Sequence, residues 1–149
     1  MVQTQLTFPD KDKGYYCNCC GLFVKRYHRP MNCNMALCLI VLYQSGQRDF
    51  VHLEDLMSKK GYKRCGDASY LVHWGYLEKK KELRKDNSPR NGYYKLTGLG
   101  MMFVEDKIKA REKAMIFNNK FEGFSGGEVS IREALGKKFH YENLMIANT

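Results

Sequence analysis

The most specific chemistry in this chain sits in its cysteines: of six in all, Cys17, Cys19, Cys20, Cys33 and Cys38 fall within 22 residues. Cys17 and Cys20, followed by Gly21, form a C-x-x-C turn. A structural zinc ion takes four soft or borderline ligands in a tetrahedron, and such a turn delivers two of them with little strain. Cys33 and Cys38 would complete the set in a C-x2-C-x12-C-x4-C spacing, so zinc held by Cys17, Cys20, Cys33 and Cys38 is the cofactor this pattern implies. The plainer alternative is a metal-free knuckle. Cys38 lies inside an apolar run, where a free cysteine behaves as a small buried hydrophobe. A redox role is disfavoured because no βαβ pattern surrounds the motif, and Cys19 and Cys65 read as bystanders.

Catalytic groupings are weaker. Gly123-Phe124-Ser125-Gly126-Gly127 matches G-x-S-x-G, but a nucleophile elbow needs a large parallel sheet that this chain cannot supply, so a glycine-rich turn is the better reading. Gly136-Lys137-Lys138 lacks the glycine spacing and the Ser or Thr of a phosphate loop. His28, His52, His73 and His140 are scattered. The expectation is a protein that is not an enzyme.

The basic residues form the other chemical pattern. Net charge is +9, concentrated in residues 1–30 (+3) and 76–97 (+4). Such an excess favours polyanionic or acidic partners. Lys79, Lys80, Lys81, Arg84, Lys85 and Arg90 surround a turn-rich segment and could contact the phosphates of a duplex. Lys63 and Arg64, with Ser69, Tyr70 and His73 on the outward side of a following helix, could face a groove. That helix carries no Arg, Asn or Gln suited to bidentate base contacts, so sequence-specific reading is weakly supported. The competing reading of the basic segment is a solvated hairpin tip.

The elements that must position these residues follow from periodicity and punctuation. Residues 1–30, with Pro9, Gly14, Gly21 and Pro30 around short aromatic stretches, read as loops and a small hairpin. From an N-cap at Asn32 or Asn34, the nine-residue apolar run Met35 to Tyr43 predicts a buried central helix ending near Gly46. Phe50 to Leu53 is extended, and Glu54 to Lys60 is a short helix stopped by Gly61. Asp67 caps a helix running to Gly75, in which Ala68, Leu71 and Trp74 share the inner face. Tyr76 to Lys81 and Tyr93 to Thr97 then form a hairpin with a long basic tip. Thr97 caps a helix from Leu99 to about Lys113. A hairpin turns at Asn118-Asn119, Ser130-x-x-Glu133 forms a capping box before a short helix ended by Gly136, and Tyr141 to Ile146 forms the last helix. Met35, Leu37, Ile40, Leu42, Leu71, Trp74 and Leu96 are expected in one core, and Met101-Met102-Phe103 reads as core rather than as a docking stripe.

This order is that of a winged helix-turn-helix. Tyr70-Leu-Val-His-Trp-Gly-Tyr-Leu-Glu-Lys-Lys80, followed by Gly92-Tyr-Tyr-Lys-Leu-Thr-Gly-Leu-Gly100, resembles the third helix and wing of many prokaryotic winged-helix regulators, over roughly residues 31–111. A narrower likeness runs along nearly the whole chain. Tyr16-Cys17-x-x-Cys20-Gly21, Gly66-Asp67-x-x-x-Leu71-x-x-Trp74-Gly75 and Val129-Ser-Ile-Arg-Glu-Ala-Leu-Gly-Lys-Lys-Phe139 resemble a family of small proteins encoded by tailed phages. That family carries no assigned activity, so the resemblance implies origin and architecture, and a place in the host cell cytoplasm.

The fold class expected is α+β: a Cys-rich knuckle in residues 1–30, a winged helix in 31–113, and a hairpin-helix extension in 114–149 docked on the body. With 149 residues, 44% hydrophobic and 28% charged, the chain suits one core with a small appendage, and the main state is not disordered. No run approaches the roughly 20 apolar residues of a membrane span, and no secretion signal is expected at the start. The cytoplasmic setting this suggests favours thiols and metal ligands over disulfides. Two functions remain: a DNA-binding accessory or regulatory protein of phage type acting on double-stranded DNA, or a protein that binds an acidic surface of a host protein, such as transcription machinery or a defence complex.

Overall fold

A computed structural model describes residues 10–62, 67–81 and 92–146. The fold is mixed α+β and grows around the apolar run. Helix α1 (Cys33–Ser45) starts at Asn32, whose side-chain oxygen accepts the Met35 N–H at 2.9 Å, and stops at Gly46 in the left-handed region. Every residue from Met35 to Leu42 is buried. A helix apolar on all sides must be covered all round. The cover comes from α2 (Leu53–Lys59), α3 (Gly98–Val104), α4 (Ile131–Leu135) and α5 (Tyr141–Ile146), with a 3-10 helix over Ala68–Val72. Met35, Leu37, Ile40, Leu42, Leu71, Trp74 and Leu96 all belong to this single core. Phe103 joins it fully buried, whereas Met102 on the same helix is exposed. Among the described residues no helix is long and apolar enough to cross a membrane.

Among the described residues the strands form three antiparallel sheets. Strands β1 (Tyr15–Tyr16) and β2 (Phe23–Val24) form a small hairpin; β4 (Val51–His52), β6 (Tyr93–Leu96) and β5 (Leu77–Lys79) pair in that order; and β3 (Arg26–Pro30), β7 (Ala110–Phe117) and β8 (Lys120–Val129) form the third sheet. β7 and β8 are joined at Asn118-Asn119, where both residues have positive φ (52° and 63°), the backbone a tight two-residue hairpin requires. Ser130 and Glu133 make the reciprocal capping box of α4.

Two elements differ from the sequence reading. The helix beginning at Thr97 ends at Val104 instead of running to about Lys113: Asp106 turns left-handed (φ 64°), and β7 begins at Ala110. Ala110, Ala114 and Ile116 face inward at the period of a strand. The Lys, Arg, Glu and Ala between them favour a helix locally, but pairing on both edges of β7 satisfies its backbone as a strand. The helix expected from Asp67 to Gly75 is a five-residue 3-10 helix, and Asp67 makes no capping hydrogen bond. Its carboxylate accepts instead from the Asn32 side-chain amide at 3.0 Å, tying this turn to the start of α1. In addition, β3 pairs with β7, and Ile131, Ala134 and Leu135 enter the common core with α1.

Candidate nucleic-acid interface and cysteine knuckle

At the knuckle, Tyr16 pairs with Phe23, the Cys17 N–H donates to the Leu22 carbonyl at 2.7 Å, and the Gly21 N–H donates to the Cys17 carbonyl at 2.8 Å. Gly21 has φ 73°, which closes the turn at no steric cost. The backbone N–H groups of Cys19 and Cys20 point at the Cys17 sulfur, and with a hydrogen bond from the Cys20 thiol they hold the Cys17 thiol below its ordinary value. This turn stabilises a thiolate.

The expected completion of the site does not form. Among the described residues no group of three or more His, Cys, Asp or Glu is placed to hold a metal ion. Cys33 is the first residue of α1, beyond strand β3, and is a free thiol. Cys38 is fully buried in α1 and disulfide-bonded, so it has no thiolate to offer. Cys17 and Cys20 therefore share one turn that neither Cys33 nor Cys38 joins.

The face of the third helix is also not as expected. Ser69 is exposed, but Tyr70 and His73 are half-buried. The His73 ring stacks on Phe121 of β8 (4.7 Å between centroids, 8° between planes), Phe121 meets Phe124 edge-on at 5.0 Å, and Phe124 packs on Trp74 at 5.6 Å. Burial pushes the His73 imidazole below its ordinary value, so it is neutral at physiological pH and brings no charge to a phosphate. Arg29 of β3 lies over Tyr27 at 5.0 Å and over Tyr70 at 5.7 Å. The third sheet thus packs against the side of this turn that was expected to meet a groove. Tyr27, Arg29 and Phe121 were missed in the sequence, where the alternation Arg26-Tyr27-His28-Arg29 was the available signal for a strand with one exposed aromatic and basic face.

The β5–β6 hairpin carries the basic residues. Leu77 pairs with Leu96, Glu78 with Lys95 and Lys79 with Tyr94, and the Lys80 N–H continues the ladder to the Tyr93 carbonyl at 3.1 Å. On the solvent side Lys95 meets Glu78 at 3.4 Å and covers Phe50 at 5.0 Å, while Lys80 covers Tyr93 at 5.1 Å. Lys79 ends β5, and Lys80 and Lys81 follow it directly. Lys63, Arg64, Arg84, Lys85 and Arg90 lie outside the described residues.

Ser125, the serine of G-x-S-x-G, lies within β8 rather than in a turn. Its hydroxyl is 2.7 Å from Nδ1 of His28, and Nε2 of His28 is 2.8 Å from Asp12. This order is inverted relative to a hydrolytic triad, in which Nε2 faces the serine. The neighbouring Gly127 N–H is already donated to Glu112 at 2.9 Å. Arg26 continues the network to Asp12 (3.7 Å) and Glu122 (3.1 Å), so the bonds fasten the N-terminal segment across the third sheet. Compared with protein-family models, with curated proteins and with solved structures, the chain finds no match.

Proposed function

We propose that this protein is a small non-enzymatic DNA-binding accessory or regulatory protein of phage type, built on a winged helix that grips the duplex backbone more than it reads bases. The observation that carries this reading is the basic hairpin: Lys79 ends β5, Lys80 continues the pairing to Tyr93 of β6 and Lys81 follows, in a segment (76–97) of net charge +4. The winged-helix reading is supported by the element order α1, β4, α2, 3-10 helix, β5, β6, α3, and by a sheet in which β6 lies between β4 and β5. Weak base reading follows because Tyr70 and His73 spend their ring faces on Arg29 and Phe121.

Binding to random duplex DNA across a salt series tests the proposal. Each phosphate contact contributes a log-log slope of about −0.9, so a hairpin making three to five contacts gives a slope of roughly −3 to −4.5. A Lys80→Glu, Arg84→Glu double variant should lower both affinity and slope. Absence of binding even near about 50 mM salt, with the double variant indistinguishable from wild type, overturns the reading.

A second reading, contact with an acidic host protein, is favoured by Tyr27, Arg29 and Phe121, since exposed aromatics around an arginine are the composition of interface anchors. It predicts that Tyr27→Ala abolishes capture of the host partner while leaving DNA affinity unchanged.

A further inference from the structure

The knuckle is built like half of a zinc centre. Its two free thiols, Cys17 and Cys20, project from a turn closed by the Gly21 N–H on the Cys17 carbonyl at 2.8 Å and by the Cys17 N–H on the Leu22 carbonyl at 2.7 Å, and Cys20 is exposed. A tetrahedral zinc site needs four such ligands, and the described residues supply no third. Around the same turn Tyr16, Leu22 and Phe23 are 71%, 67% and 51% exposed. These are three large apolar side chains within eight residues, far along the sequence from the hairpin's lysines. Both deficits, two missing ligands and an uncovered apolar cluster, are met by one occupant that carries the same two thiols beside the same apolar side chains.

We propose that two copies of this chain share one zinc ion, held by Cys17 and Cys20 of each, with Tyr16, Leu22 and Phe23 of both copies packed around it. A two-fold axis through the metal makes such a contact self-complementary and closes it at two subunits. Four thiols bind one Zn2+ and release four protons, leaving a centre of net charge −2 between two N-terminal segments that each carry +3. Electrostatics therefore favour the bridged form over neutral ligands. Cys19, on the same turn, is not a ligand. The inference does not depend on DNA binding, because its readouts are mass and metal content.

The full chain, purified without chelator, is measured by native mass spectrometry and metal analysis, and a parallel denaturing non-reducing gel identifies any dimer joined by a disulfide. The expected result is a dimer holding one zinc, about 0.5 per chain. A strong chelator should convert it to monomer, and added zinc should restore it. Cobalt in place of zinc should give the visible spectrum of a tetrahedral four-sulfur site, which reports the ligand set without any substitution. Cys17→Ser and Cys20→Ser should lose both metal and dimer, and Cys19→Ser should keep both. A chain that stays monomeric with zinc present, a monomer holding a full zinc ion, or a dimer that survives chelation would each overturn the proposal.

Discussion

Tyr43 in the central helix donates its hydroxyl to Glu105 at 2.8 Å, and that hydrogen bond holds the Glu105 carboxyl below its ordinary 4.5. Glu142 is lowered in the same sense by Arg132, which also meets Asp106 at 3.1 Å, and Asp12 is lowered by its bond to His28. A carboxyl easier to ionise in the folded chain contributes stability above its unfolded value, and that contribution is lost as pH falls through the folded value. His73 acts in the same direction: burial depresses its folded value, so below the ordinary 6.5 the unfolded chain binds the proton first. The melting temperature should therefore fall in two stages on acidification, modestly below about pH 6.5 and more steeply below about pH 4. His73→Phe should remove the first stage, and Tyr43→Phe should reduce the second. A thermal melt series over pH checks both, and an unchanged first stage in His73→Phe would assign it to another group.

At the scale of elements, Trp74 joins the 3-10 turn to the third sheet. Its ring is buried, and its indole N–H donates to the Arg111 carbonyl at 2.8 Å. Trp74→Ala should cost roughly 3–5 kcal/mol, while Trp74→Phe, which keeps the contact with Phe124 and loses the hydrogen bond, should cost about 1–3 kcal/mol. Denaturant titration separates the two. Helix α3 meets the residue before β5 and the end of β6 at Gly100, where an added Cβ would lie 2.5 Å from the Tyr76 carbonyl oxygen and 2.8 Å from Leu96. Since one of these atoms is backbone, Gly100→Ala should destabilise by about 1–3 kcal/mol although alanine is the better helix former. A neutral effect would mean that α3 moves freely relative to Tyr76 and Leu96. The caps of α1, α3 and α4 and the turn at Asn118-Asn119 were legible in the sequence because each signal is satisfied within a few residues. The end of α3 was not, because the residues that follow prefer a helix until β3 and β8 offer pairing on both sides.

For the whole molecule, the decisive contact joins distant parts of the chain: Arg26 to Pro30 pair with Lys113 to Phe117. Removing residues 1–30 would strip β7 of one partner and leave an eight-residue edge with unpaired backbone groups. The truncated chain should aggregate or lose cooperative unfolding, as seen by light scattering and calorimetry. A soluble, cooperatively melting 31–149 fragment would instead show that the knuckle is an independent appendage.

The sequence by itself determined where most helices begin and stop, which apolar residues form the core, and that positive charge gathers near the β5–β6 hairpin. Those properties depend on side-chain chemistry at short range and on the period of burial. Only the tertiary structure decided that β3 and β7 pair, that Asp67 binds Asn32 rather than capping its own turn, and that Tyr70 and His73 turn toward Arg29 and Phe121. It decided also that Cys33 and Cys38 do not join Cys17 and Cys20. Spacing along the chain sets what a pair of cysteines can reach. Their convergence depends on the path of the intervening backbone, and here strand β3 carries the chain from the knuckle into the third sheet before α1 begins.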